Sequence, residues 1–411
     1  MRTTSLRSSL FLAAILVPTV ALAGGGGVKF KDEPARLPPD TSLPDTSTVD
    51  VDLFDIDDDG DLDMFLADGT AGPAGRPNRL YVNDGAGFFA DASAARLPPA
   101  VNNSSRSDQG DVDGDGDLDL VIANLGPEEL YLNDGHGFFT DASAQLPPPP
   151  PFLQGISAEA RFVDVDGDDD LDVLVANENP FAPGVLDGGQ DRLYINDGSG
   201  HFTDQTATRL PAINDQTGGF ATGDIDHDGD VDVIVLNRGQ DRVFVNDGAG
   251  HFADQTATRF PVTTDTSRAA ALADLDDDCD LDLLIANSRG EAPRRYRNDG
   301  AGRFTEVALP DIPHETLISV EVGDVDDDGD LDVLFGNAGA FESGHGFLGG
   351  QNSFLRNDGH GKLKDRTAHS LPTLADPTTD ATFADVDGDG DLDIVVANSG
   401  APERISIQKG D

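Results

Sequence analysis

A single cysteine, Cys279, in 411 residues excludes an intramolecular disulfide framework, so a core or bound metal must hold the folded chain. Cys279 reads as a small residue filling a loop position. Tryptophan is absent and tyrosine occurs four times, which leaves few flat side chains on which sugar rings could stack. Lys and Arg number 27 against 77 Asp and Glu, a formal net charge of −50. That shortage of cations argues against nucleic acid and anionic membrane surfaces as partners, because both are bound by displacing counterions with Lys and Arg. Long apolar runs are also missing, except at the start. There Arg2 and Arg7 precede an apolar run from Leu10 to Leu22 and the small-residue site Ala21-Leu22-Ala23, the layout of a secretory signal peptide. The run is short for a bilayer span and contains Pro18. Residues 1–23 therefore read as a signal peptide and 24–411 as a secreted mature chain, extracellular or periplasmic, with no membrane span.

The acidic residues that are present are not spread out. Of the 77, 39 fall in seven nine-residue stretches that begin at Asp55, Asp111, Asp164, Asp224, Asp274, Asp324 and Asp385. A disordered acidic tail would not place half its charge at regular stations. The stations lie 56, 53, 60, 50, 50 and 61 residues apart, a period that suits one four-stranded propeller blade.

Each period has the same internal order. A short apolar segment such as Ala160-Arg161-Phe162-Val163 precedes the acidic stretch, and a β-branched run such as Leu120-Val121-Ile122-Ala123 or Ile394-Val395-Val396-Ala397 follows it. Such runs read as strands covered on both faces. A third strand like Arg79-Leu80-Tyr81-Val82 ends in Asn-Asp-Gly, at Asn83, Asn133, Asn196, Asn246, Asn298 and Asn357. Asn and Gly tolerate positive φ, so the tripeptide marks a hairpin. A fourth strand such as Phe89-Ala90-Asp91 is stopped by a Leu-Pro or Phe-Pro pair. At the amino end, Phe30-Lys31-Asp32 with Leu37-Pro38 is a fourth strand that precedes any acidic stretch. At the carboxyl end the chain stops after a third strand, Arg404-Ile405-Ser406-Ile407. The first strand is therefore expected to complete the last blade and close the ring.

Within an acidic stretch, carboxylates at positions 1, 3 and 5 can converge while position 7 offers its carbonyl and position 9 returns a carboxylate. Hard oxygen donors without His or Cys suit Ca²⁺ and not zinc. The expected ligands are Asp55, Asp57, Asp59, Asp61 and Asp63; Asp111, Asp113, Asp115, Asp117 and Asp119; Asp164, Asp166, Asp168, Asp170 and Asp172; Asp224, Asp226, Asp228, Asp230 and Asp232. The remaining three sets are Asp274, Asp276, Asp278, Asp280 and Asp282; Asp324, Asp326, Asp328, Asp330 and Asp332; Asp385, Asp387, Asp389, Asp391 and Asp393, for up to seven Ca²⁺. Position 6 should be glycine for the sharp turn. It is Asp169 in the third stretch and Cys279 in the fifth, so the fifth site is expected to be the weakest. An EF-hand would need Glu at position 12, where Leu66, Ile122, Val175, Val235, Ile285, Phe335 and Val396 stand. Nonapeptide β-helix repeats would follow one another directly, and these do not.

The acidic stretch, the strand ending in Ala-Asn and the run Asn-Asp-Gly-x-Gly-x-Phe-x-Asp resemble the FG-GAP or VCBS-type repeats of the integrin α-chain amino-terminal propeller and its bacterial secreted relatives. The resemblance spans about 27–411 and implies an all-β fold. That fold is a seven-bladed β-propeller with integrin-like calcium loops, closed by the amino-terminal strand completing the last blade. Ala-Asn, Leu-Asn or Gly-Asn stands where the integrin pattern has Gly-Ala-Pro, so integrin ligand contacts do not carry over. In such a meander the calcium loops share one face with the Asn-Asp-Gly turns. The variable loops 69–78, 177–192 and 336–352 and the interblade segments 100–109 and 147–159 gather on the other, where binding is usually found. Of the eight histidines, His345 beside Glu342 is the only one in such a loop, and it has no evident catalytic partner. The expected function is a non-enzymatic adhesion module for an extracellular protein or glycan. The alternatives are a lectin, or a polysaccharide lyase or hydrolase using the variable face.

Overall fold

The computed structural model describes residues 28–39, 47–69, 75–148, 157–178, 188–343 and 345–409. The expected signal peptide, 1–23, lies outside the described residues, as do 70–74, 149–156 and 179–187 of the variable loops. Among the described residues are seven four-stranded antiparallel sheets and one two-stranded hairpin, and no helix is long and apolar enough to cross a membrane. Six sheets take their strands in sequence order. The first is Ser47–Phe54, Asp63–Gly69, Arg79–Asn83 and Phe89–Asp91. In the seventh, Phe30–Asp32 lies outermost beside Arg404–Gln408, pairing Phe30 with Gln408 and Asp32 with Ser406.

The second strand of every blade is buried along its whole length, from Asp63–Gly69 to Asp393–Asn398. Neighbouring blades supply the cover, and one apolar cluster fills each interface. Val51, Leu66 and Tyr81 of blade one meet Val395, Ala397 and Ile405 of blade seven in the same way that Val121 and Leu130 meet Phe162 and Val175 between blades two and three. At the rim of several interfaces a hydroxyl at the start of the first strand donates to a carboxylate of the preceding blade. Examples are Ser157 to Glu128 (2.6 Å), Thr217 to Asp191 (3.1 Å) and Ser267 to Asp241 (3.0 Å). Thr48 to Glu403 (2.5 Å) makes the same bond between the first and last blades.

The Leu-Pro pair does not end the fourth strand directly, as the sequence suggested. A single helical turn intervenes, for example Ser93–Arg96 and Thr206–Arg209. Its cause is local. Asp91 accepts from the Ser93 amide and hydroxyl (3.0 and 2.6 Å), and that hydroxyl in turn caps the Leu80 amide (2.9 Å). Blade five has Val307 and Ala308 at this point and makes no helical turn among the described residues.

The first strands line the central channel, and each carries a bulge near its start. They are less apolar than the sequence reading expected. Two levels of side chains stand at matching registers: Asp50, Arg106, Glu159, Gly219, Ala269, Ser319 and Asp380, then Asp52, Asp108, Arg161, Ala221, Ala271, Glu321 and Thr382. These groups satisfy the free inner edge of the next blade. Val51, Ser107, Phe162 and Phe220 amides donate to Asp380 (3.3 Å), Asp50 (2.8 Å), Asp108 (2.8 Å) and Glu159 (3.3 Å). Blades four and five contribute only Gly and Ala, and Arg106 reaches across that space to the carbonyls of Arg268 (3.4 Å) and Ile318 (3.3 Å).

Burial pushes the Asp50 carboxyl up to about 7, with Asp380 adding to the effect and Arg106 opposing it. Burial and Asp380 raise Glu321 to about 8 against the pull of Arg161, and Asp52 and Asp108 are raised too. A carboxyl whose folded pKa is raised contributes stability that is complete below its unfolded value and is lost as pH rises through the folded value. With Ca²⁺ saturating, the unfolding midpoint is therefore expected to fall by several degrees between about pH 6 and 8.5. Glu321→Gln should flatten the upper part of that fall, as read by calorimetry, and an identical slope in the variant would refute the assignment.

Candidate metal centres

The seven acidic loops share one geometry. The first carboxylate turns back and accepts backbone amides: Asp59 and Gly60 donate to Asp55 (3.2 and 2.9 Å), and Asp115 and Gly116 donate to Asp111 (3.2 and 3.0 Å). The fifth position accepts from the seventh, as in Asp61 to Asp59 and Asp117 to Asp115, both 3.0 Å. At the ninth position one oxygen accepts the amide that ends the third strand, as in Asn83 to Asp63 (2.7 Å) and Gln408 to Asp393 (2.7 Å). The chain is thus folded into a cup with its carboxylates inside.

In loops one, three and four the oxygens of positions 1, 3 and 9 come within 4.8 Å of one another: Asp55, Asp57, Asp63; Asp164, Asp166, Asp172; Asp224, Asp226, Asp232. In loops two and five positions 1, 3 and 5 do so: Asp111, Asp113, Asp115; Asp274, Asp276, Asp278. Position 7 points its carboxylate elsewhere. A side chain at Gly85 or Gly248 would collide with the carboxylate of Asp61 or Asp230, so the first glycine of each turn makes room for that group.

One oxygen of the third-position carboxylate is buried without a hydrogen-bond partner in all seven loops, at Asp57, Asp113, Asp166, Asp226, Asp276, Asp326 and Asp387. A buried acceptor left unmet costs about 1–3 kcal/mol, and more when charged. Burial also drives the ninth-position carboxyls up, to about 7 at Asp63, Asp119, Asp172, Asp232 and Asp393 and to about 8 at Asp332. A cation in the cup would meet both the unpartnered oxygens and the buried carboxyls. The donors are carboxylate oxygens, which fits a hard ion such as Ca²⁺.

Position 6 is left-handed in every loop, with φ of 69° at Asp169 and 68° at Cys279. The fifth loop nevertheless keeps the bonds of the others, with the Cys279 amide 2.9 Å from Asp274. The cost of Cys279 is confined to its backbone angle. Position 4 is left-handed too, at Asp58, His227, Asp277 and Asp327, a demand that the sequence reading placed at position 6 alone.

The Asn-Asp-Gly turns serve a further purpose that the hairpin reading missed. Positive φ falls on Gly85 and Gly87 and their counterparts, while the six asparagines are buried and not left-handed. Each asparagine amide donates to the second-position carbonyl of the preceding blade's acidic loop. The bonds are Asn83 to Val386 (2.9 Å), Asn133 to Ile56 (2.9 Å), Asn196 to Val112 (2.8 Å), Asn246 to Val165 (2.8 Å), Asn298 to Ile225 (2.8 Å) and Asn357 to Leu275 (2.9 Å). Every acidic loop but the sixth is therefore bonded in this way to the next blade as well as to its own.

On the opposite face, Val101, Leu125, Val262, Phe341 and Leu348 are exposed. Phe341 stands at the base of a hairpin, Phe341–Glu342 paired with Gly346–Phe347, and its ring meets Phe347 edge-on at 5.4 Å. His345 stands 3.9 Å from Glu342 on the same hairpin, both exposed.

A model of the FG-GAP-like repeat matches residues 55–122, 111–175, 184–235, 224–285, 274–335 and 345–396. No curated protein matches the chain. Among solved structures, two of BBS1N in complex with ARL6DN, soaked with lead or with mercury, are similar at TM-scores of 0.56 and 0.57 and 12% identity. They cover 92% of this chain and 96% and 95% of theirs. An Agrocybe aegerita lectin that recognises non-reducing terminal N-acetylglucosamine gives a TM-score of 0.48 at 18% identity, over 87% of this chain and 86% of its own.

Proposed function

The chain belongs to the FG-GAP-like repeat family, and from that premise we propose that it is a secreted, Ca²⁺-stabilised, non-enzymatic binding module. Positions 1, 3, 5 and 9 of each acidic loop would hold the ion with their carboxylates, and position 7 with its carbonyl. The ion supplies charge neutralisation and no reaction chemistry. The amino-terminal leader layout supports export, into surroundings where millimolar Ca²⁺ suffices for weak sites.

The observation that carries the binding reading is the distribution of exposed apolar side chains. On the loop-bearing face, Val262 is 90% and Phe341 67% exposed. On the metal face, Phe88 and Phe138 are less exposed, at 49% and 46%, and each has a guanidinium group over its ring, Arg36 at 5.2 Å and Arg96 at 5.3 Å. Uncovered apolar groups on a rigid scaffold favour a protein or glycan partner at the loop face. BBS1N was solved in complex with ARL6DN, which supports the protein reading.

The test is a screen of the Ca²⁺-loaded chain against an extracellular-protein panel and a glycan array, with polysaccharide depolymerisation followed in parallel. Phe341→Asp is expected to weaken the partner found by about tenfold or more, the size of an interface hot spot, with an unchanged melting midpoint. Depolymerisation of a polysaccharide would overturn the non-enzymatic reading.

A further inference from the structure

The residue before each Leu-Pro or Phe-Pro pair is arginine at Arg36, Arg96, Arg209 and Arg259. Each closes the helical turn described above and points at the acidic loop of its own blade. The third-position carboxylate there gives the arginine one oxygen: Arg36 to Asp387 (3.0 Å), Arg96 to Asp57 (2.8 Å), Arg209 to Asp166 (2.9 Å) and Arg259 to Asp226 (2.7 Å). Its other oxygen is the buried one without a partner.

The same guanidinium groups reach the next blade. Arg36 donates to the Ala86 carbonyl (2.6 Å), Arg209 to Ala249 (2.8 Å) and Arg259 to Ala301 (2.5 Å), and Arg96 lies over the Phe138 ring. The three carbonyls and the ring all belong to Asn-Asp-Gly turns or the residue directly after them. A side chain at Gly87, Gly137, Gly250 or Gly302 would occupy the space of the guanidinium, a second demand on a position that is already left-handed. Blade five has Ala308 at the arginine position, and there Arg295 takes over, bonding Asp282 of its own loop (2.7 Å) and the Gly361 carbonyl of blade six. Blade two has Gln145, whose side-chain oxygen is buried without a partner. The interface from blade two to blade three is therefore a natural gap in the series.

We propose that these arginines are positioning residues of a metal-linked latch. By fixing one oxygen of the third-position carboxylate, each aims the other into the cup, and by gripping the next turn it carries occupancy of one blade's site to its neighbour. This rests on the reading of the acidic loops as Ca²⁺ sites. The asparagine bond is present from blade two to blade three as well, so it does not distinguish the interfaces; the arginine does.

The test is one double-variant comparison and one single-variant control on the full mature chain, read by hydrogen exchange of backbone amides. Asp168→Ala removes a ligand of site three without touching Arg209 or Asp166. In the parent chain with Ca²⁺ it is expected to raise exchange at the blade-four turn, 246–250, by about tenfold, the effect of losing one charge-assisted hydrogen bond. In an Arg209→Gln background, which copies the residue of blade two, the same change is expected to add nothing at that turn. Asp115→Ala at site two is expected to leave the blade-three turn, 196–200, unchanged, and that arm needs no arginine variant. Equal increments in both backgrounds, or a response at 196–200, would overturn the latch while leaving the metal sites standing. Absence of bound Ca²⁺ in the parent, measured by atomic absorption, would overturn both.

Discussion

Removing Ca²⁺ is expected to lower the unfolding midpoint by about 15–25 °C, the largest effect anticipated for this chain. An ion that binds only the folded state contributes RT ln(1 + [L]/Kd), or about 2.7 kcal/mol per site at a hundredfold excess over Kd. With Kd on the order of 10⁻⁴ M, 10 mM Ca²⁺ provides that excess. Seven loops each leave a buried carboxylate oxygen unpartnered, so seven such contributions act on one ring. Calorimetry in 10 mM Ca²⁺, in excess chelator and in 10 mM Mg²⁺ checks this. Mg²⁺ demands near-ideal octahedral geometry and should restore little. Coincident curves in Ca²⁺ and chelator would end the structural-metal reading.

How far the chain could be read in advance follows from the range of the interactions involved. The blades were legible because they depend on local order: a period of 50 to 61 residues, an acidic turn between two strands, a proline after the fourth. The pairing of Phe30–Asp32 with Arg404–Gln408 was legible from two incomplete repeats. What joins the blades was not. Asn83 reads as a turn residue until its amide is found on Val386, 303 positions away, and Arg209 reads as surface charge until Asp166 and Ala249 are seen around it. A period-2 alternation of charge was present in Asp50-Val51-Asp52 and Glu159-Ala160-Arg161. That alternation marks a polar channel, but the apolar residues between the charges mask it by reading equally well as a buried strand. The cost of left-handed φ was foreseen for glycine at position 6. At position 4 it is masked because Asp or His stands there in four loops and Gly in three.

Deleting residues 24–36 is expected to have the second largest effect, lowering the Ca²⁺-loaded midpoint by about 10 °C or more and promoting association. The segment is bonded at several points to the other end of the chain. The Glu33 amide reaches the Ile405 carbonyl and the Lys409 amide reaches the Lys29 carbonyl, each 2.8 Å, and Arg404 pairs with Asp32 at 2.9 Å. Phe30 is buried against Phe354 of blade six, with ring centroids 6.1 Å apart, in the cluster that includes Leu334 and Ile394. Phe30→Ala alone should therefore cost about 3–5 kcal/mol. Without the segment, Arg404–Gln408 becomes the exposed outer edge of blade seven, and Arg36 no longer ties Asp387 to the turn at Ala86. Loss of the edge strand invites pairing between chains, so light scattering should rise as the midpoint falls. A synthetic peptide of residues 28–39 added in trans should restore part of the midpoint in a concentration-dependent way, since it binds only the folded ring. A truncated chain that melts like the parent would show that the ring does not depend on its first strand, and a peptide without effect would place the loss elsewhere than at that edge.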